Sequence, residues 1–431
     1  MRFYDRFHDS RLLAVAPAIV IAALAILQPG IDPVFLALLT KAHGLSPHLH
    51  GWIVSATQAG LAAGSLTNLV AGSRLAPRAA ARLCTLCALL ALGAAAATAW
   101  TASFAALLAV RALFGLAMGV LYTQAMTHAA RHSPTASFAL VLLLQLLLST
   151  FVALGLPVIG TDRPALALAL LALAPLGALA LLARARDPLG VEEERGTLGL
   201  QDERDAPDAS PHARAGQQAE RTAQRFRESI TPPVALLASA LFCYVCASMI
   251  VWSLTGAMAI AARFPPHVLG TAVAVGSLAG AITSLAVLRE RVRVDPRITA
   301  LACGIAMLTP VLGARLANET LFIAAIVAFN VGNTAIFIRC SGFAARACRT
   351  SGALRFVSCA NTAGMIAGPA IGSSATTLAG PQGPLYPAAL ALALGCLTLW
   401  AWHYRQRRQN LRLVASTSAT AARAVERRQA A

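Results

Sequence analysis

Charge is what this 431-residue chain has least of. Only 12% of its residues are Asp, Glu, Lys or Arg, against roughly a quarter in a soluble domain, and there is a single lysine, Lys41. Acid is scarcer than base, with 18 Asp and Glu against 35 Lys and Arg, and more than half of the acids crowd into one polar stretch at residues 184–229. The chain therefore cannot dress a soluble surface. Catalytic signatures are missing as well. The absence of a G-x-x-x-x-G-K-[ST] loop argues against ATP-driven work. H-E-x-x-H, G-x-S-x-G and a second aspartate within an apolar stretch are also absent, so an enzyme is not expected. Nine cysteines are an odd number, which does not suit a disulfide framework. The pairs Cys84/Cys87 and Cys243/Cys246 lie in apolar runs, where cysteine acts as a small hydrophobe, so neither a metal nor a cofactor is expected.

What the chain has is apolar length. Hydrophobic residues make up 57% of it, in blocks such as "ALALALLALAPLGALALLA" that are apolar on every face. A spanning helix needs about 20 such residues. That ruler divides the chain into about twelve transmembrane helices: 13–37, 49–70, 81–100, 104–127, 136–158, 164–184, 233–257, 267–288, 298–315, 320–342, 352–378 and 384–402. The predicted class is an all-α polytopic membrane protein. Arginines recur in every second connection, and the alternate connections hold only Lys41, Arg163, Arg263 and Arg315. The positive-inside rule then puts both termini on the cytoplasmic side, in a bacterial-type inner membrane. The net charge of +17 follows from that placement, and a nucleic-acid partner is not expected.

Four regions result: a six-helix bundle over 1–186, a cytoplasmic linker over 187–231, a second six-helix bundle over 232–403 and a basic cytoplasmic tail over 404–431. The linker is polar and mixed in charge, with a surface helix expected near its end. The two bundles echo each other. "GLAAG" (60–64) in span two matches "GSLAG" (276–280) in span eight, and "GLPVIG" (155–160) in span five matches "GPAIG" (368–372) in span eleven. Glycines four apart allow close helix approach, and their repetition suggests a duplicated unit. The amides are also unevenly placed: Gln28, Gln58, Gln124 and Gln145 in spans one, two, four and five, Asn330, Asn333 and Asn361 in spans ten and eleven, and none in spans three, six, nine and twelve. Amides are costly in lipid, so two bundles around a polar path are expected, with every third helix peripheral.

A 6+6 plan with a long middle loop resembles the major facilitator superfamily of transporters over almost the whole chain. "RALFG", with Arg111 and Gly115, is similar to that family's fourth-helix motif. "GMIAGPAIG", with Gly364, Gly368, Pro369 and Gly372, resembles its antiporter motif. That motif normally sits in helix five, where this chain has Gly155 and Pro157 instead. In the turn "GSRLAPRAAAR" Arg74 and Arg78 suit the family's signature, with Ser73 in place of the usual aspartate. The resemblance implies alternating access, with these arginines, glycines and prolines in conformational or gating roles.

Asp32 is the one carboxylate within a predicted span, and Arg111 is the arginine deepest in one. At 1.5 Å per residue they lie roughly 8 Å and 11 Å inside the outer ends of spans one and four. Either charge alone is expensive in a membrane, so a switchable pair is expected, with Asp32 as the titrating member. The resemblance links such a pair to proton coupling. A fixed salt bridge, or Asp32 capping a helix end near Pro33, are the structural alternatives. Gln28, Tyr122, Gln124, Tyr244, Trp252, Asn330, Asn333 and Asn361 are candidates for a substrate path. Arg339 and Arg355 can snorkel to the cytoplasm or bind an anion. His43, His48 and His50 crowd one outer turn, which reads as a solvated loop.

The sequence thus points to a monomeric secondary transporter of a small organic solute, with proton-coupled export as the first reading. Uptake of a small organic anion or metabolite is the alternative, and a non-transporting sensor or scaffold on the same fold is a third.

Overall fold

The computed structural model describes residues 15–71, 77–132, 134–184, 230–288, 295–347 and 351–429. Fourteen α-helices account for most of them: α1 (Ala16–Ala25), α2 (Leu27–His43), α3 (His50–Ala71), α4 (Pro77–Thr98), α5 (Phe104–His132), α6 (Pro134–Asp162), α7 (Pro164–Leu170), α8 (Leu173–Arg184), α9 (Pro232–Ala261), α10 (Pro266–Leu288), α11 (Pro296–Arg315), α12 (Glu319–Ala347), α13 (Ser351–Ala379) and α14 (Leu385–Gln429). Each of the twelve expected stretches is helical, the first and sixth in two pieces. The last helix does not end at 402 but continues through the basic tail to Gln429. Nearly all of the linker, including the expected surface helix, lies outside the described residues, as does Arg74.

The termini of the helices follow from local chemistry. Proline opens α4, α6, α7, α9, α10 and α11, at the position where its missing N–H costs no hydrogen bond. Asp295 caps α11 by accepting from the Arg297 N–H at 2.8 Å. The same carboxylate receives the Arg297 guanidinium at 3.1 Å, and these bonds hold its pKa down to about 2. Gly44 ends α2 in the left-handed conformation, which only glycine adopts without strain.

Among the described residues, nine helical segments are long and apolar enough to cross a membrane, so the protein is a multi-pass membrane protein. The segments that fall short are α1 with α2, α3, and α13. Their shortfall is compositional: the first pair is broken at Ile26 and carries Pro29, Gly30, Asp32 and Pro33, and α3 and α13 are rich in Ser, Thr and Gly.

Three of the less apolar helices, α2, α3 and α13, join α6, α9 and α10 in the seam between the first half (16–184) and the second (232–429). Across it α2 packs on α9, α3 on α13, and α6 on α10. By contrast α4, α7 with α8, α11 and α14 pack against helices of their own half, as expected for peripheral elements. One apolar core runs across the seam, from Ile31 and Phe35 through Ile250 and Phe322. A second, containing Ile21, Ala88, Met118 and Ala178, belongs to the first half alone.

Glycine rows make the closest approaches. A Cβ on Gly60 or Gly64 of α3 would strike the carbonyls of Ala112 or Leu116 on α5. One on Gly115 or Gly119 would strike those of Thr57 or Leu61. In the second half, Gly276 and Gly280 of α10 face Asn330 and Thr334 of α12 at 2.6 and 3.1 Å from the same imagined carbon. The echoing motifs therefore occupy corresponding helix pairs.

Candidate functional site

Proline sets up the centre of the seam. Pro33 has no N–H to give to the carbonyl of Pro29 four residues earlier, so that acceptor is left open inside α2. Trp252 of α9 fills the vacancy, donating from Nε1 to the Pro29 oxygen at 2.7 Å. Its ring lies flat on Phe329 of α12, with centroids 5.4 Å apart and planes 1° from parallel. One turn along, Gly256 brings α9 against the Pro33 carbonyl. Pro157 does the same for α6: it frees the Ala153 carbonyl, and Gly270 of α10 packs there. Ser55 of α3 donates to the Ile366 carbonyl of α13 at 2.8 Å, and Gly51 packs against Pro369. These contacts close the end of the molecule opposite the linker. Nearer the linker end, Phe138 of α6 stacks on Phe337 of α12, with centroids 6.3 Å apart.

Asp32 lies between the two prolines of this clasp and is buried. It does not cap a helix end, because the break in span one falls at Ile26 and α2 continues to His43. With eleven residues beyond it, Asp32 is roughly 16 Å from that end of α2, deeper than the 8 Å expected. Arg111, seven residues into α5, is level with Phe35, about one turn outward from Asp32. This offset explains the geometry. The two charges feel each other, but among the described residues the only ion pair within 4.0 Å is Arg297–Asp295.

Arg111 is held without a direct acid. Its guanidinium carbon sits 4.8 Å from the Phe35 ring centroid and 4.3 Å from that of Phe114, and its Nε donates to Thr57 Oγ1 at 3.3 Å. Each ring contributes on the order of 0.5–2 kcal/mol to a desolvated cation. The Nη2 atom is buried with no partner, and so are the side-chain nitrogens of Gln28 and Gln58. All three atoms belong to first-half helices, and the Gln28 side chain faces the Asp32 carboxylate.

The remaining candidates divide. Asn333 accepts from Ser248 at 2.9 Å and Asn330 donates to its own helix at Ile326, both on the second-half side near Trp252. Asn361 carries an unpartnered buried oxygen. Gln124 is taken up by Asn68 at 3.2 Å, and Tyr122 packs into the first-half core. Tyr244 turns away from the seam. It donates to the Ala300 carbonyl at 3.2 Å and lies 3.1 Å from Cys396, against α11 and α14. Gly364, Gly368 and Gly372 seat α13 on α9 at Phe242, Cys246 and Leu254, whereas a side chain on Gly155 would meet nothing within 4 Å. Arg78 is exposed at the start of α4, and Arg339 donates to Thr299 at 2.9 Å. The outer histidines take separate partners: His43 donates to the Thr98 carbonyl, His48 bonds Ser46 and His50 bonds Thr40.

Thr57, Phe35 and Phe114 are the contacts of Arg111 that residue type alone did not single out. The available signal was spacing, since Phe35 follows Asp32 by three residues and Phe114 follows Arg111 by three, one helical turn in each case.

No family model and no curated protein matches the chain. Solved structures do. A nucleoside transporter aligns with 91% of this chain and 99% of its own at TM-score 0.67 and 11% identity. A POT family transporter in complex with 5-aminolevulinic acid aligns with 91% and 95% at TM-score 0.62 and 12% identity. A bacterial homologue of the human drug peptide transporters PepT1 and PepT2 aligns with 94% and 98% at TM-score 0.63 and 13% identity. With likeness at this depth running almost end to end, the chain shares the polytopic helical fold of these transporter structures.

Proposed function

We propose that this protein is a proton-coupled secondary transporter of a small organic metabolite, working by alternating access in a bacterial-type inner membrane. In this reading the helices make twelve crossings in two six-helix bundles, with both termini and the linker cytoplasmic. The observation that carries it is the buried Arg111, fixed by two rings and Thr57 yet left with an unpartnered Nη2 one turn from Asp32. Arg111 and an ionised Asp32 together are neutral. Adding a substrate carboxylate leaves a buried net negative charge, which is costly unless a proton arrives as well. Anion and proton then favour each other's binding and travel together. Uptake of an organic anion or metabolite follows from this chemistry and takes precedence over export. The names of the structural neighbours, which concern nucleosides, 5-aminolevulinic acid and drug peptide transporters, support a small polar organic substrate.

Trp252, Asn330, Asn333 and Asn361 complete the substrate path on the second-half side. Gly115, Gly364, Gly368, Gly372, Pro157 and Pro369 set the helix contacts across or beside which the halves move. The test is uptake into proteoliposomes of nucleosides, short peptides, aminolevulinate and organic acids, with and without an inward proton gradient. Gradient-driven accumulation of one of them is expected, with Asp32→Asn retaining exchange but losing the response to the gradient. Wild-type protein that catalyses neither accumulation nor counterflow of any compound would leave the sensor or scaffold reading in its place.

A further inference from the structure

A cavity of about 250 Å³ opens at the end opposite the linker, in the seam between α2, α6, α9 and α10. Its walls are apolar: Val34, Ala37, Leu38, Pro157 and Leu269 are typical, and of the lining side chains only Thr40 and Lys41 are polar. Such walls offer a metabolite no grip. Ile260 both lines the cavity and is exposed, and the nearby α6 surface presents exposed Val158 and Ile159, so the cavity communicates with the bilayer-facing surface.

Its rim has the opposite character. Lys41, the one lysine in the chain, lies at the mouth and donates to the Thr161 carbonyl at 2.6 Å, which leaves other ammonium hydrogens free to donate. Arg263 is exposed between the lining residues Ile260 and Phe264, in a left-handed turn with φ 59°. Arg163 is exposed three residues beyond the lining Gly160, with Asp162 the one acid beside it. Three of the four bases in the connections expected on this side therefore gather around one apolar slot.

We propose that the slot binds one acyl chain of an anionic membrane lipid, whose headgroup phosphate is held by Lys41 and Arg263. Charge complementarity at the rim and hydrocarbon walls within select such a lipid over a zwitterionic one. Because the slot is walled by both halves, the lipid favours the arrangement in which this end is closed.

The experiment is native mass spectrometry of delipidated full-length protein titrated with phosphatidylglycerol or phosphatidylcholine. Wild type is expected to retain one phosphatidylglycerol more tightly than phosphatidylcholine. Lys41→Gln and Arg263→Gln should each weaken that preference about fivefold, the effect of one base near a charged headgroup. Ala37→Phe, which fills the slot, should remove the tight adduct. Equal affinity for the two lipids in wild type overturns the proposal, and so does an unchanged adduct in Ala37→Phe. If Ala37→Phe does not fold, the two rim variants decide the matter, because both side chains are exposed and neither belongs to the apolar core. The readout is binding alone and does not depend on transport.

Discussion

Replacing Trp252 by Phe tests the logic of the seam at one atom. The ring can still lie on Phe329, so the stack survives, but the Nε1–H that satisfies the Pro29 carbonyl is gone. Pro33 cannot supply a substitute from within the helix. A buried acceptor left without a donor costs about 1–3 kcal/mol. That cost falls only on the conformation in which α2 and α9 are apposed, so the ratio of open to closed molecules at this end should rise by about 5- to 150-fold. Hydrogen–deuterium exchange reads the change without labels. Amides in the last turns of α2 and α9 should exchange faster by the same factor, and those in α4, packed only within its own half, should not. Unchanged protection of α2 and α9 in a folded Trp252→Phe protein would refute the reasoning, because the Pro29 carbonyl would then have another donor.

Other outcomes follow from the same structure. Gly115→Ala should lower the melting temperature, with a destabilisation of about 1–3 kcal/mol, because its Cβ meets the Thr57 carbonyl and backbone cannot yield as a side chain can. Gly155→Ala, in open space on α6, should instead raise it, with a stabilisation of about 0.5–1 kcal/mol through helix propensity, and a parallel thermal-shift assay compares the two. Arg111→Lys keeps the charge but loses the flat contact with Phe35 and Phe114; substrate affinity measured by counterflow should fall by a factor set by about 0.5–2 kcal/mol per ring, and full wild-type affinity would argue that the rings are incidental. Tyr244→Phe should leave substrate affinity unchanged, since its hydroxyl reaches α11 and α14 and not the seam. Asp295 has its pKa lowered from 3.8 to about 2, so the cap's contribution is complete above about 3.8 and is lost as the pH falls toward 2. Asp295→Ala, which removes the acceptor along with the charge, should therefore fray the start of α11 at neutral pH, and the charge-dependent part of the difference from wild type should vanish at the acid end of that window.

The helices were legible because a membrane demands length and apolarity from every spanning segment, and twelve such stretches stand out on a single ruler. Three of them are weak by the same ruler for a reason that composition states only indirectly. Residues in α2, α3 and α13 answer to the other half of the protein, so glycine, serine and proline replace the leucine that lipid would prefer. Asp32 and Arg111 were recognisable as unusual from their surroundings, but their offset was not. The estimate of depth assumed that span one ended near residue 37, whereas α2 runs six residues further into the turn closed by Gly44. Tyr244 and Gln124 show the limit of polarity as a guide. A polar side chain in a spanning helix needs a partner, and a neighbouring helix of the same bundle serves as well as a central path. The Pro29 carbonyl could not be found by scanning side chains at all, because its availability is created by a residue four positions away.

The glycine rows joining α3 to α5 and α10 to α12 bear on where this molecule can bend. Between α3 and α5 peptide planes touch without an intervening layer of side chains, so no set of rotamers exists that could re-pack to let one helix slide on the other. Such a pair behaves as a single girder, whereas at the corresponding place in the second half the Asn330 and Thr334 side chains lie between α10 and α12. Compliance must then be concentrated elsewhere, and the interrupted first helix supplies it: at Ile26 the backbone leaves helical geometry between α1, which is packed into the first-half core, and α2, which is clasped to α9. Any large excursion of the two halves should therefore pivot about that joint, with stiff spars on either side of it.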